Sequence, residues 1–303
     1  MVPEWRSEAD REKYLTLYRE LRAEAGFADK ERDVPTSAGT TRVFEWPGAG
    51  VPIVFLHGAG TNALMWAPVI DELTGRRRVA FDMPGDPGES VLDHRIEDVD
   101  GLVAWLDDVL RAAEVERSHL VAASYGAWLA VSAAPALAGR IASLTLVEPI
   151  LDPLSARFWL HGIASGVAIS LPGPQRPVLA RWLHVGSVAS NPTVRKLAVV
   201  GFRAHNRKSL PPPALPVPDE ALAELAAPTQ VLLAAHSSVH RANALAKRFA
   251  DASPTIKVHV VPKSGHTLPV EHPAIVAEQV AAFTARTAPA DEPAIPGHRS
   301  GPV

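Results

Sequence analysis

Residues 118–130 read SHLVAASYGAWLA. The first six are apolar or small enough for a strand buried on both faces, and a helical pattern begins at 126 and continues to 138. Between them sits Ser124, in a turn so tight that small residues must flank it at −2 and +2; here they are Ala122 and Gly126. Such a turn lifts the serine hydroxyl above the carboxyl edge of a sheet, and the following helix aims its positive N-terminus at the same point. A buried turn serine with no chemistry is the plainer alternative.

Outward from this stretch the same alternation recurs. VPIVFL (51–56), RRVAFD (77–82), IASLTLVE (141–148), TQVLLAA (229–235) and TIKVHVV (255–261) are short strand-like runs. Helix-like segments lie at 62–73, 96–113, 240–251 and 273–285, and two further strand candidates at 32–36 and 40–46 meet at the Ala38-Gly39 turn. Strands alternating with helices on short connections imply βαβ units. The expected fold is therefore α/β: a mostly parallel eight-stranded sheet with helices on both faces. Residues 1–29 read as an N-terminal helical extension, with Tyr14, Leu17, Tyr18 and Leu21 on one face and a cap at Ser7. Residues 30–149 and 227–286 would form the core. The alternation breaks over 150–226, which contains PPPALPVP at 211–218 and reads as a helical cap inserted after the sixth strand. The Pro/Gly-rich stretch 287–303 reads as a disordered tail.

Composition narrows the function. The 303 residues carry 30 Lys+Arg against 33 Asp+Glu, and 47% are hydrophobic. That near-neutral balance argues against a nucleic-acid partner. No cysteine is present, which removes disulfides, thiolate nucleophiles and zinc-thiolate sites and fits a cytoplasmic location. The uncharged stretches 121–138 and 158–175 are each interrupted by Gly, Pro, Ser or His, so they read as a buried helix and an apolar cap helix, not as membrane spans. Neither a cofactor nor a metal is expected. There is no phosphate-cradling glycine motif, and His236 and His240, four apart, have no evident carboxylate to complete a site.

Four fragments in order, VFLHGAG (54–60), AASYGA (122–127), LVEP (146–149) and VPKSGHTLPVEHP (261–273), with DMPGDPGES at 82–90, resemble the α/β-hydrolase superfamily in its lipase and carboxylesterase-like branch. The resemblance covers about residues 30–285. It implies Ser124 as nucleophile and His266 as general base. It also implies an oxyanion hole from the backbone N–H groups of Ala59 and Tyr125, with His57 bracing the His-Gly loop. The chain departs from the usual pattern in its acid. Most relatives carry one after the seventh strand, where this chain has Ser237 and Ser238, and no Asp or Glu occurs between Glu224 and Asp251. The best replacement is Glu148, at the end of the sixth strand, with Asp152 as the fallback. It preserves the order Ser…Glu…His, although acidic residues also occur at strand ends without catalysing anything.

Phe158, Trp159, Leu160, Trp182, Trp66 and Trp128 supply an aromatic, weakly charged wall, which favours an apolar or aromatic small-molecule ester; tryptophans at helical spacing are also ordinary packing residues. The leading expectation is a serine hydrolase of carboxylic esters acting through an acyl-enzyme. A thioesterase, lactonase, carbon–carbon hydrolase or cyclase would use the same residues, and a ligand-binding protein on a degenerate hydrolase fold would use none of them. The sequence leaves the oligomeric state open.

Overall fold

The computed structural model describes residues 2, 4–152, 160, 163, 164, 167, 192–206 and 208–287. Among these, nine strands form one sheet: β1 (Lys30–Thr36), β2 (Gly39–Trp46), β3 (Ala49–Leu56), β4 (Arg76–Phe81), β5 (Val91–Leu92), β6 (Ser118–Ala123), β7 (Ile141–Val147), β8 (Thr229–Ala234) and β9 (Lys257–Val261). The order is β1-β2-β4-β3-β6-β7-β8-β9, with β5 on β2. β1, β2 and β5 are antiparallel to their neighbours, and the strands from β4 across to β9 run parallel. The count exceeds the expected eight because β5 is a two-residue strand, too short to leave a periodic signal. The 150–226 insertion therefore follows the seventh strand, not the sixth.

Alternate residues of the parallel strands feed opposite cores, as continuous apolar runs require. Val54 and Leu56 face one side with Phe81, Trp105, Leu120, Leu144 and Phe249. Ile53 and Phe55 face the other with Tyr18, Trp66, Val121, Leu232 and Val280. The helices are α1 (Glu8–Ala25), α2 (Ala67–Asp71), α3 (Val99–Ala112), α4 (Tyr125–Ala133), α5 (Pro192–Ala204), α6 (Asp219–Ala223), α7 (Ala242–Ala252), α8 (Leu268–Glu271) and α9 (Pro273–Thr287), with 3₁₀ turns at Ala63–Trp66 and Ala138–Arg140. The single helix expected over 62–73 is thus the first 3₁₀ turn followed by the short α2, with Pro68 in the first turn of α2. No described helix is long and apolar enough to cross a membrane. Most of the expected cap, with the apolar helix at 158–175, and the tail beyond Thr287 lie outside the described residues.

Helix α1 is more than an appendage. Ser7 caps it by accepting from Asp10 N, and Gly26 ends it in the left-handed region at φ 59°. Tyr14 packs where a Cβ on Gly201 of α5 would come within 2.9 Å of its ring. Arg22 reaches from α1 to Glu31 (2.9 Å) and Glu89 (2.7 Å), with its guanidinium over the rings of Tyr18 and Phe44. The Glu89 side chain is 4% exposed and also meets Arg19 and Arg42. Arg22→Ala strips one cation from a desolvated carboxylate, so urea unfolding is expected to show a loss of about 3 kcal/mol, the low end for breaking a buried pair because two other arginines remain. An unchanged midpoint would mean that those two suffice.

Candidate active site

The sheet order reverses direction at β3. The chain leaves β3 for β4 on one side, then crosses to β6 on the other, which opens a crevice at the carboxyl ends of β3 and β6. Gly58 follows β3 and Ser124 follows β6, and a Cβ on Gly58 would lie 3.2 Å from that of Ser124. Ser124 has φ 53° and ψ −113°, an uncommon conformation for a residue with a side chain. The turn is held by Ser124 N–H donating to Val147 O (2.9 Å) and by Trp128 N–H returning to Ser124 O. Gly126 is obligatory: a Cβ there would stand 2.5 Å from His57 O and 2.8 Å from Leu56 O. At Ala122, by contrast, a methyl is accommodated in the core.

Three side chains converge at this edge. His266 Nε2 lies 3.0 Å from Ser124 Oγ, and His266 Nδ1 lies 3.0 Å from Glu148 Oε2. His266 hangs from the loop after β9, which is pinned by Gly265 N–H and Thr267 Oγ1–H donating to the Glu271 carboxylate. Glu148 follows β7 with φ 52°, its own N–H donating to Leu232 O on β8. Its side chain is 1% exposed. Burial pushes the carboxyl upward, but the neighbouring His240 and His266 rings outweigh that and bring it down to about 2. Ala234 N–H adds a hydrogen bond to Oε1 at 2.5 Å. The carboxyl is thus ionised, and an imidazolium at His266 would find it 3.0 Å away. Asp152, the fallback acid, instead faces solvent beside Arg248. A hydroxyl, an imidazole and a carboxylate in series can draw the proton off an attacking alcohol onto an imidazole whose charge the carboxylate balances.

Ala59 sits on the exposed turn after β3, and Tyr125 opens α4, so the Tyr125 N–H has no partner inside the helix. His57 braces the loop as expected. It is fully buried, its Nε2 accepts from Met83 N–H (2.8 Å), and burial lowers it to about 4, which keeps it neutral. Asp82 ties the same loops together, accepting from Tyr18 OH, Ala63 N–H and Glu89 N–H.

The aromatic wall needs revision. Trp66 is fully buried against Phe55 in the core, so it is a packing residue and not a substrate contact. Trp128 is buried as well, its Nε1–H donating to Leu215 O, while the Tyr125 hydroxyl donates to Pro212 O. Leu160 is exposed. Phe158, Trp159 and Trp182 lie outside the described residues. Two polar residues were not singled out by sequence. Asp86 is buried and accepts from Gly60 N–H at 2.7 Å. His240 stands 3.1 Å from Glu148 Oε1, a carboxylate brought in from the end of β7. No group of three or more potential metal ligands occurs among the described residues.

Residues 53–279 match the model of the alpha/beta hydrolase family. The chain belongs to the alpha/beta hydrolase family. Among its relatives is a Bacillus subtilis (strain 168) protein described as an uncharacterized carboxylesterase, nap, 25% identical over 257 residues, which cover 82% of this chain and 85% of the relative. A 2-hydroxy-6-oxo-2,4-heptadienoate hydrolase of Pseudomonas putida is 38% identical over 108 residues, 34% of this chain and 39% of that one. The crystal structure of naproxen esterase (carboxylesterase NP) from Bacillus subtilis superposes with a TM-score of 0.80 at 23% identity, covering 91% of this chain and 98% of that one. This hydrolase fold therefore extends well beyond the segment that matches the family model.

Asp86 gives this site a pH signature. Burial raises its carboxyl from 3.8 to about 8; the Gly60 N–H opposes the rise and the Asp82 charge adds to it. A folded value raised above the unfolded one means stability that is complete below 3.8 and is lost as pH climbs to about 8. The stability of the wild type relative to Asp86→Asn should fall across that interval and level off above it, measured by urea unfolding. A gap independent of pH would show that Asp86 is ionised in the folded protein.

Proposed function

We propose that the protein is a serine hydrolase that cleaves a carboxylic ester of an apolar or aromatic small molecule through an acyl-enzyme. The observation that carries this is the unbroken series Ser124 Oγ, His266 Nε2, His266 Nδ1 and Glu148 Oε2, with both contacts at 3.0 Å. The carboxylesterases among its relatives support the reaction class.

In this reading Ser124 Oγ attacks the ester carbonyl carbon while its proton passes to His266 Nε2. The carbonyl π pair moves to oxygen, and that oxyanion is met by the N–H groups of Ala59 and Tyr125, backed by the N-terminus of α4. Glu148 accepts from His266 Nδ1–H and balances the imidazolium charge. Collapse of the tetrahedral species expels the alkoxide, which takes the proton from His266. Water then repeats the sequence: His266 removes its proton, its oxygen attacks the acyl carbon, and Ser124 departs reprotonated with the carboxylic acid as product.

The division of labour follows the same reading. Residues 30–149 and 227–286 form the hydrolase core and 1–29 a helical extension. Residues 150–226 are assigned as the cap on the sequence alone, with Phe158, Trp159 and Trp182, outside the described residues, proposed as its apolar contacts. A carbon–carbon hydrolase is the second reading, favoured by the resemblance to the heptadienoate hydrolase; it keeps all three residues and changes the leaving group to a carbanion. The loop after β8 lacks an acid, which would favour a purely binding role, but Glu148 beside His266 supports the catalytic reading.

A fluorophosphonate should label Ser124 and should fail on Ser124→Ala. On an aryl ester, Glu148→Gln should lower kcat by about 10³–10⁴-fold, the penalty for a wrongly held imidazole tautomer. Only a few-fold loss would reject Glu148 as the orienting acid, and absent labelling would reject the hydrolase. Turnover of a vinylogous diketone with inertness toward aryl esters would select the carbon–carbon reading.

A further inference from the structure

The loop between β8 and α7 carries no acid, yet it reaches the proposed catalytic carboxylate with a base. His240 projects from this loop with its side chain only 11% exposed, and its Nε2 lies 3.1 Å from Glu148 Oε1. Neither ring nitrogen makes a well-directed hydrogen bond, so Glu148 is the polar group this buried imidazole has within reach. The two oxygens of Glu148 are thereby unequally supplied. Oε2 serves His266 Nδ1, whereas Oε1 faces Ala234 N–H and His240 Nε2.

That asymmetry matters mechanically. A carboxylate held at Oε1 by one backbone N–H can still pivot about that bond and carry Oε2 away from His266. A second polar group, His240 Nε2 at 3.1 Å, closes on Oε1 from another element and blocks the pivot, and at 1% exposure the carboxylate is shielded from bulk water.

We infer that His240 is a positioning residue that closes on Glu148 Oε1 and so aims Oε2 at His266; this rests on the reading of Glu148 as the orienting acid. It touches neither substrate nor the reacting atoms. Its effect reaches Ser124 only through the carboxylate and His266.

The test uses two substitutions in the full-length protein, His240→Phe, which keeps ring volume without a donor, and His240→Gln, which keeps a donor, with active protein counted by fluorophosphonate labelling. His240→Phe should lower kcat on an aryl ester by about 10- to 100-fold, the worth of one hydrogen bond to a charged group, and leave KM within about twofold. It should also broaden or shift the low-field proton resonance of His266 Nδ1–H. His240→Gln should restore most of both. In a Glu148→Gln background, His240→Phe should cost nothing further. The inference is overturned by a change in kcat below about threefold with the resonance intact, by equal losses in the Phe and Gln variants, or by a full additional loss in the Glu148→Gln background. If Glu148→Gln alone costs only a few-fold, the acid assignment fails first and takes this inference with it. A large Glu148→Gln effect beside an indifferent His240→Phe fails the inference alone.

Discussion

A carboxylate that has lost almost all contact with water sets the terms for the whole edge of this sheet. Glu148 is 1% exposed, and burial by itself would drive it neutral. It stays ionised because Ala234 N–H and two imidazoles surround it, and each of those groups is delivered by a different part of the chain. Ala234 arrives through the β7–β8 register, in which Val147 pairs with Leu232. His240 arrives on the loop that follows β8, and His266 on the loop that follows β9. A slip in either strand pairing would leave a buried charge without partners, so this one group demands that three connections be correct.

The opposite half of the site is held by scaffolding of a different kind. His57 and Asp82 are buried polar residues: His57 accepts from Met83 N–H and donates to Gly58 O, and Asp82 accepts from two backbone N–H groups and the Tyr18 hydroxyl. They fasten the loop after β3 to the loop after β4. Tyr18 brings α1 into the same network, so the N-terminal helix stabilises the turn that carries Ala59. At this edge positive φ occurs at Ser124, fixed by Val147 O, at Glu148, fixed by Leu232 O, and at Lys263 in the loop that carries His266. The first two follow neighbouring strands and mark where local preference yields to side-chain placement.

Much of this was legible in the sequence because the fold is written in short-range signals. Continuous apolar runs such as VPIVFL mark strands buried on both faces, and AASYGA announces its turn through the small residues around Ser124. Glu148 came into view only through the family resemblance, which expects an acid in a stretch where none lies between Glu224 and Asp251. What escaped depends on tertiary contacts that leave no local trace. β5 is two residues long. Trp66 has the same composition signal whether it packs on Phe55 or lines a cavity, and only burial separates the two. His240 looked ownerless because its carboxylate lies 92 positions earlier in the chain, at the end of a different strand. Asp86 was hidden inside a motif whose other residues had an obvious use.

The choice of glutamate follows from the distance to be crossed. Parallel neighbours lie about 4.8 Å apart, and β8 separates β7 from the strand that carries the His266 loop. A side chain leaving the tip of β7 must pass over the end of β8 to meet an imidazole that folds back from beyond β9. Aspartate, one methylene shorter, would have to be met more than half-way by the histidine. The crossing also explains the partner at Oε1: Ala234 is the last residue of β8, so its N–H stands under the path of the carboxylate. An acid moved to this strand therefore meets a backbone donor in passing. The span that makes the longer side chain necessary is the same span that stabilises its charge.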